Sequence, residues 1–191
     1  MVLSTRFEQA MTYASIVHAG QVRKGTAVPY LSHLLAVAAL VLEHGGNEDE
    51  AIAALLHDAV EDAGGRPRLA DIQLRFGDQV AEIVLDCTDA DVCPKPPWRA
   101  RKEAYIAHLQ ETSESARLVS CCDKLHNSRT IVADLRIYGD EVWKKFTGKR
   151  DGTLWYYSTL LGEYQRLGVP GPLVDELART VQTMQSLAGD C

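Results

Sequence analysis

The sequence predicts an all-α fold, and three features of its 191 residues indicate it. Apolar residues recur at three- and four-residue intervals along almost the whole chain, which is the period of an amphipathic helix. No convincing run of alternating apolar and polar residues interrupts this pattern. Turn-forming residues divide the chain at short intervals, so we expect a bundle of helices joined by short loops.

Nine helices are predicted, at residues 5–22, 30–44, 48–62, 68–76, 78–88, 98–111, 113–137, 151–167 and 171–188. The loops are expected at 24–29, 44–47, 63–67, 92–97 and 168–172, which are rich in Gly, Pro, Asn or charged residues. Asn47 and Glu50 have the spacing of a capping box at the start of the third helix. Since no loop is long enough to link domains, one domain over residues 1–191 is expected.

Composition and charge limit the classes of partner. The formal net charge is -6, so the mean field of the protein attracts neither nucleic acid nor an anionic membrane surface. The longest apolar stretch, Leu34 to Leu42, is about half of the roughly 20 residues that a membrane span needs. The first ten residues have no apolar run of a signal peptide. We therefore expect a cytoplasmic protein with no nucleic-acid or membrane partner, and the oligomeric state is left open.

The five cysteines contain no C-x-x-C pair, and their odd number leaves at least one thiol unpaired in any intramolecular scheme. This usage indicates a reducing compartment and packing in the core. It does not favour a zinc–thiolate site.

The segment Ala53 to Asp62, A-A-L-L-H-D-A-V-E-D, places ionisable residues at the end of an apolar helix. Carboxylates beside a core-facing stretch cost several kcal/mol unless they are paired, solvated or bound to a cation. On one helix, His57 with Glu61 and Asp58 with Asp62 are i, i+4 pairs, which form two adjacent rows. A single metal ion could serve both rows.

Two further candidate ligands, His33 and Asp123, stand in other predicted helices among residues expected inside. Two imidazoles and two carboxylates suit Mn²⁺, Fe²⁺, Co²⁺, Ni²⁺ or Zn²⁺, with Mn²⁺ favoured. A His-Asp dipeptide alone is common by chance, and each histidine alone suits a hydrogen-bonded core position. The order of a histidine, then His-Asp, then an aspartate in a third helix favours a metal site. Glu61 and Asp62 are expected to orient or deprotonate a water for attack on phosphorus.

Four segments together resemble a known family. They are H-x-G-Q-x-R-K (His18 to Lys24), P-Y-x-x-H (Pro29 to His33), L-L-H-D-x-V-E-D (Leu55 to Asp62) and D-K-L-x-N (Asp123 to Asn127). This set resembles the hydrolase domain of the RelA/SpoT homologues, and more closely the stand-alone small alarmone hydrolases, over roughly residues 5–135. The resemblance implies an HD-domain helical bundle with a mononuclear metal site. It also implies Mn²⁺-dependent removal of the 3′-pyrophosphate from guanosine tetra- or pentaphosphate, a nucleotide polyphosphate, to give GDP or GTP.

The resemblance also implies roles for single residues. Four would be metal ligands (His33, His57, Asp58, Asp123), two would serve the nucleophilic water (Glu61, Asp62), and four would contact the nucleotide (Arg23, Lys24, Asn127, Thr130). The chemistry of Arg23 agrees with a nucleotide contact, because its guanidinium can stack on a base or bind phosphate. For Arg23 and Lys24 a solvated helix end is the alternative.

Other positions are left open. His18 belongs to the matching motif and is expected to be structural. Residues 144–150 form either a basic patch for a polyphosphate or a solvated loop. The aromatic residues 155–157 are expected in the core, with contact to a base as the alternative. Gly25 and Ala63 stand where the family often has polar residues, so the guanosine contacts are the least constrained part of the prediction.

Two other functions remain as alternatives. One is a phosphohydrolase of broader specificity, which would release orthophosphate from other nucleotides. The other is a nucleotide-binding protein of the same fold without efficient turnover. Retention of every candidate ligand together with Glu61 and Asp62 argues against passive binding, so the enzyme is favoured.

Overall fold

The computed structural model describes residues 2–89 and 94–189, and its regular structure there is helical. The α-helices are α1 (Thr5–Val17), α2 (Leu31–Glu43), α3 (Glu48–Leu56), α4 (Ala59–Asp62), α5 (Gly65–Phe76), α6 (Asp78–Cys87), α7 (Trp98–His108), α8 (Glu114–Tyr138), α9 (Lys149–Arg166) and α10 (Gly171–Gly189). A 3₁₀ helix, Gly139–Lys145, follows α8. In the described ranges the β-type pairing is one isolated antiparallel bridge, between Val22 and Pro29. The predicted all-α class is confirmed.

The chain divides into two compact units. The first consists of residues 1–95 and 112–120, and the second of residues 96–111 and 121–191. Helix α8 begins in the first unit and continues in the second. The single domain expected from the sequence stays a prediction, and the loop expected at 92–97 lies partly outside the described residues.

Helix α3 is the centre of the first unit's core. It packs against α1, α2 and α6, and every residue from Ala51 to Leu56 is fully buried. A helix that is apolar around its whole circumference must be covered on all sides. Helix α2 presents His33 in its first turn, and His57 follows directly after α3. Two packed helices therefore carry the two histidines expected to bind metal.

The turn between α2 and α3 is specified by three consecutive residues, Gly45, Gly46 and Asn47. The amide of Gly46 donates to the carbonyl of Val41 and that of Gly45 donates to Leu42, which is the bond pattern of a Schellman motif. Gly45 has a φ of 86°, a conformation that glycine adopts without strain. Asn47 then caps α3, and its capping box with Glu50 is present as predicted.

The first predicted helix was too long, because α1 ends at Val17 and not at residue 22. His18 is the C-terminal cap of the helix, and its backbone N–H donates to the carbonyl oxygen of Ala14. Gly20 has a φ of 76°, which turns the chain away from the helix axis. The chain then enters the Val22–Pro29 bridge. The motif that begins at His18 is thus a turn and a short hairpin-like loop.

The third predicted helix, 48–62, is interrupted between Leu56 and Ala59. The ring of His57 contacts the carbonyl oxygen of Ala54 at 2.8 Å. In an unbroken helix this oxygen would accept from the amide of Asp58, so the side chain competes with the backbone. The expectation of two rows on one continuous helix is therefore corrected, although Asp62 still donates its amide to the carbonyl of Asp58.

The second unit is built on aromatic side chains of α7 and α9. The ring of Trp98 makes edge contacts with Trp155 and Tyr156. Tyr156 and Tyr157 are buried, which confirms the core assignment for these two residues, while Trp155 is half-buried. Helix α10 packs on α9 with an apolar stripe at helical spacing (Leu173, Val174, Leu177, Val181, Met184, Ala188).

The segment expected as a basic patch or loop, 144–150, contains a turn at residues 146–148. The turn joins the last two residues of the 3₁₀ helix to the first two residues of α9. Lys144 pairs with Glu141 and Lys145 with Asp134. The 3₁₀ helix was not predicted; it forms where Val142 and Trp143 are buried and the indole N–H of Trp143 donates to Asp140.

None of the helices among residues 2–89 and 94–189 combines the length and apolarity that crossing a membrane requires.

The α2–α3 turn gives a test of the packing that places the histidines. A Cβ at Gly46 would lie 2.4 Å from Cγ1 and 2.8 Å from the carbonyl oxygen of Val41. We expect Gly46→Ala to lower the free energy of unfolding by about 1–3 kcal/mol, because the backbone must shift. Urea denaturation followed by circular dichroism measures this change.

Gly162→Ala is the matched control. Gly162 lies within α9, and nothing lies within 4 Å of a Cβ there. Since alanine is favoured over glycine in a helix by about 1 kcal/mol, this variant should be more stable than the wild type. Unchanged stability of Gly46→Ala would contradict the packing described for the turn.

Candidate metal centre and active site

His33, His57 and Asp58 form a cluster in the first unit, and one ligand atom from each lies within 4.8 Å of the others. Nε2 of His33 is 3.6 Å and Nε2 of His57 is 3.1 Å from Oδ2 of Asp58. The exposed fractions of the side chains are 0% for His33, 3% for His57 and 22% for Asp58. Two buried imidazoles therefore face one carboxylate that reaches solvent.

The tautomer of His57 follows from its contact with the backbone. Nδ1 lies 2.8 Å from the carbonyl oxygen of Ala54. Because a carbonyl oxygen only accepts, Nδ1 carries a hydrogen, and in the neutral ring Nε2 then presents its lone pair to the cluster. A histidine that ligates a metal commonly donates its other ring nitrogen in this way. The geometry of His57 thus fits a metal ligand.

Asp58 is also held by Tyr30, whose hydroxyl donates to Oδ2 at 2.6 Å. The guanidinium carbon of Arg23 lies 5.6 Å from the centroid of the Tyr30 ring. Arg23 is therefore held over an aromatic face close to the cluster. Lys24 is exposed, and no contact connects it to the cluster within the described residues.

The two carboxylates of α4 each have a partner. Nζ of Lys95 lies 2.7 Å from Oε1 of Glu61. The amide nitrogen of Gln21 donates to Oδ2 of Asp62 at 2.8 Å. Both carboxylates follow the His57–Asp58 pair by one helical turn, so the first unit brings five of the predicted site residues into one region.

The other predicted ligand, Asp123, lies on α8 in the second unit and is 5% exposed. Its Oδ2 accepts from Lys124 at 2.6 Å and its Oδ1 accepts from the amide of Asn127. Burial by itself lowers the pKa of Lys124, but the carboxylate of Asp123 reverses this effect, so the pKa lies well above its usual value. The pair is thus a buried ion pair, and the role of Asp123 as a ligand stays a prediction.

Thr130 lies two helical turns after Asp123, and its hydroxyl donates to the carbonyl of His126 within α8. Asn127 and Thr130 therefore both make bonds within their own helix. Their predicted contacts with a nucleotide stay predictions.

The cysteines agree with a core role where they are described. Cys121 and Cys122 are buried and Cys87 is half-buried. Burial raises the pKa of the Cys121 thiol, which disfavours the reactive thiolate. Cys93 and Cys191 lie outside the described residues.

Three residues of the site were missed from the sequence: Gln21, Tyr30 and Lys95. Gln21 and Tyr30 stand within the motifs that carry the family resemblance, which was a usable signal. Lys95 had no such signal, because it lies within the predicted loop 92–97 and belongs to no motif.

Together these contacts indicate the chemistry of the site. Imidazole nitrogens and a carboxylate suit a divalent cation of the first transition row. Two further carboxylates, each fixed by a neighbour, lie one turn away, where they can orient a nucleophile and accept its proton. The guanidinium of Arg23 carries a positive charge of the kind that binds anionic groups.

Comparison with known proteins identifies the family of the chain. The model of the HD domain family matches residues 10–154. Guanosine-3′,5′-bis(diphosphate) 3′-pyrophosphohydrolase MESH1 of Xenopus tropicalis is 37% identical over 140 residues, which cover 72% of this chain and 73% of that protein. The human MESH1 enzyme is 35% identical over 126 residues, which cover 64% and 68% of the two chains.

Solved structures give the same result. The structure described as a metazoan orthologue of SpoT, which hydrolyses ppGpp and plays a role in starvation responses, matches with a TM-score of 0.79 and 26% identity over 95% of this chain and 97% of that one. A crystal structure of a Listeria monocytogenes EGD-e protein matches with a TM-score of 0.69 and 30% identity over 83% and 99%. The chain therefore belongs to the HD domain family and, within it, to the MESH1 group of SpoT-like hydrolases.

Proposed function

We propose that this protein removes the 3′-pyrophosphate from guanosine tetra- or pentaphosphate, with Mn²⁺ as its metal, to give GDP or GTP and pyrophosphate. The observation that carries the proposal is the His33–His57–Asp58 cluster, followed one turn later by Glu61 and Asp62. It occurs in a chain 37% identical to an enzyme named for this reaction. The cytoplasm as its location belongs to the same proposal.

The metal would be held by His33, His57, Asp58 and Asp123. The lone pair that His57 presents at Nε2 supports this assignment, since only a neutral imidazole nitrogen can ligate. When bound, a divalent ion supplies Lewis acidity toward phosphoryl oxygen and lowers the pKa of water. The mixed nitrogen and oxygen donors favour Mn²⁺ over structural zinc.

The carboxylates of α4 orient the attacking water and take its proton. Glu61 is fixed by Lys95 and Asp62 by Gln21, so neither has to be ordered during the reaction. Since both groups are anionic, they do not bind phosphate themselves and remain available as bases.

Cationic residues bind the nucleotide. Arg23 lies over the ring of Tyr30 and binds phosphate or stacks on the base. Lys24 supplies a positive point charge for phosphate oxygens. Asn127 and Thr130 complete the nucleotide contacts in the proposal. These local charges are needed because the protein carries a net charge of -6.

The first test is release of pyrophosphate from guanosine 3′,5′-bispyrophosphate by the purified protein with Mn²⁺. Asp58→Ala and Glu61→Gln should each lower kcat/KM by about 100-fold or more, because they remove a metal ligand and a proton acceptor. Coupled detection of pyrophosphate and of orthophosphate measures the products.

Glu82→Gln is the control, because Glu82 is an exposed residue of α6 outside the site; it should retain wild-type activity. Release of orthophosphate alone, from nucleotides in general, would replace the proposal by a phosphohydrolase of broader specificity. Nucleotide binding without any product would indicate a binding protein.

Arg23→Ala tests substrate binding. We expect KM to rise by about tenfold with a smaller fall in kcat, because Arg23 positions the nucleotide and does not take part in proton transfer. Steady-state kinetics with Mn²⁺ separate the two constants. Arg136→Ala, which removes an exposed arginine of α8, is the control, and equal KM values for both variants would remove Arg23 from the site.

Asp123 needs a test that separates metal binding from folding. Asp123→Ala leaves the ammonium of Lys124 buried without its carboxylate, so the free energy of unfolding should fall by about 3 kcal/mol. The double variant Asp123→Ala/Lys124→Met removes both charges and should recover most of that loss. Urea denaturation in the presence of EDTA measures both effects.

The folded double variant then reports on the metal alone. Equilibrium dialysis against Mn²⁺ should show weaker binding than in Lys124→Met, which keeps the proposed ligand. If the two variants bind Mn²⁺ equally, Asp123 is not a ligand.

A further inference from the structure

A chain of side-chain contacts reaches Asp62 from the turn after α1. Nδ1 of His18 lies 2.6 Å from Oε1 of Gln21, and Nε2 of Gln21 lies 2.8 Å from Oδ2 of Asp62. His18 is 4% exposed, and its ring stacks on Tyr30 with centroids 5.3 Å apart. Sequence analysis predicted a structural role for His18 and no role for Gln21.

The direction of each hydrogen bond is fixed by chemistry. A carboxylate oxygen only accepts, so the amide NH₂ of Gln21 must face Asp62. Its carbonyl oxygen then faces His18 and accepts, so Nδ1 of His18 carries the hydrogen. By donating to this oxygen, His18 stabilises the orientation of the Gln21 amide that donates to Asp62.

The backbone beneath Gln21 is held at both ends. The amide of Gln21 donates to the carbonyl of His18 at 3.0 Å, and its carbonyl accepts from the amide of Tyr30 at 2.9 Å. The amide group of Gln21 that donates to Asp62 therefore belongs to a hydrogen-bonded turn, and the buried ring of His18 contacts its carbonyl oxygen.

The side chain of Asp62, by contrast, is held by few contacts among the described residues. It is exposed at the end of the four-residue helix α4. Gly64 and Gly65 follow it with φ values of 128° and 59°. In the described part of the chain, the side-chain hydrogen bond of Asp62 is the one from Gln21, so the position of this carboxylate depends on that amide.

We propose that Gln21, oriented by His18, is a positioning residue that holds one oxygen of Asp62 and leaves the other for the attacking water. This inference rests on the proposed function, because it assigns to Asp62 a place beside the nucleophile. Gln21 suits the task because its neutral amide can donate a hydrogen bond to one carboxylate oxygen.

A purely structural role for Gln21 would be to fasten its turn to α4. The two roles differ in their dependence on Asp62. If Gln21 acts through Asp62, its substitution has no further effect on kcat once Asp62 is removed. If it acts on the fold alone, the two effects on kcat multiply.

The experiment is a double-mutant cycle with Gln21→Met, Asp62→Ala and the double variant, measured with guanosine 3′,5′-bispyrophosphate and Mn²⁺. Gln21→Met should lower kcat about tenfold with KM and Mn²⁺ content close to wild type, because the carboxylate loses its alignment. The double variant should have the kcat of Asp62→Ala. Gln73→Met is the matched control, because Gln73 makes a similar bond to Asp78 at 2.9 Å on the surface of the same unit.

His18 supplies a rescue test. His18→Leu should lower kcat as Gln21→Met does, whereas His18→Asn keeps an N–H donor near the position of Nδ1 and should recover part of the activity. Urea denaturation of each variant separates these effects from loss of fold.

Wild-type kcat in Gln21→Met, or an equal loss of kcat in the presence and absence of Asp62, would overturn the inference and leave the proposed function standing. A wild-type protein that releases no pyrophosphate would overturn the proposed function, and the positioning role with it.

Discussion

Two imidazole rings inside the first unit point their Nε2 atoms at one oxygen of Asp58, at 3.6 Å and 3.1 Å. Burying such polar groups is costly unless each has a partner or a cation. The arrangement is maintained because α2 and α3 pack together through a turn that satisfies its own backbone groups. The remainder of the site is placed relative to this pair of helices.

Around the cluster, each charged or polar group is held by a neighbour. Tyr30 bonds to Asp58, Lys95 to Glu61 and Gln21 to Asp62. Catalytic groups whose positions are fixed beforehand do not need to be ordered in the transition state. The motif from His18 to Lys24 therefore has two tasks, since it carries Arg23 beside Tyr30 and also brings Gln21 to Asp62.

The second unit contains a different electrostatic arrangement. Asp123 and Lys124 are adjacent, and both are mostly buried. An ion pair in such a place repays its desolvation only with good geometry and further hydrogen bonds, and Asn127 supplies one of these. The D-K-L-x-N motif is thus explained in part by the stability of α8, whatever the role of Asp123 toward a metal.

The sequence alone determined the helical class, the capping box at Asn47 and the family, because helix period, cap spacing and ligand type are local properties of the chain. It also identified His33, His57 and Asp58, which the structure gathers into one cluster.

The sequence analysis placed the end of α1 too late. It also missed the interruption at His57, where the side chain competes with a backbone amide for the carbonyl oxygen of Ala54. Only the tertiary structure decided the contacts of Tyr30 with Asp58, Lys95 with Glu61 and Gln21 with Asp62. These partners are 28, 34 and 41 residues apart, and such distant side chains meet only through the packing of helices, which no local pattern specifies.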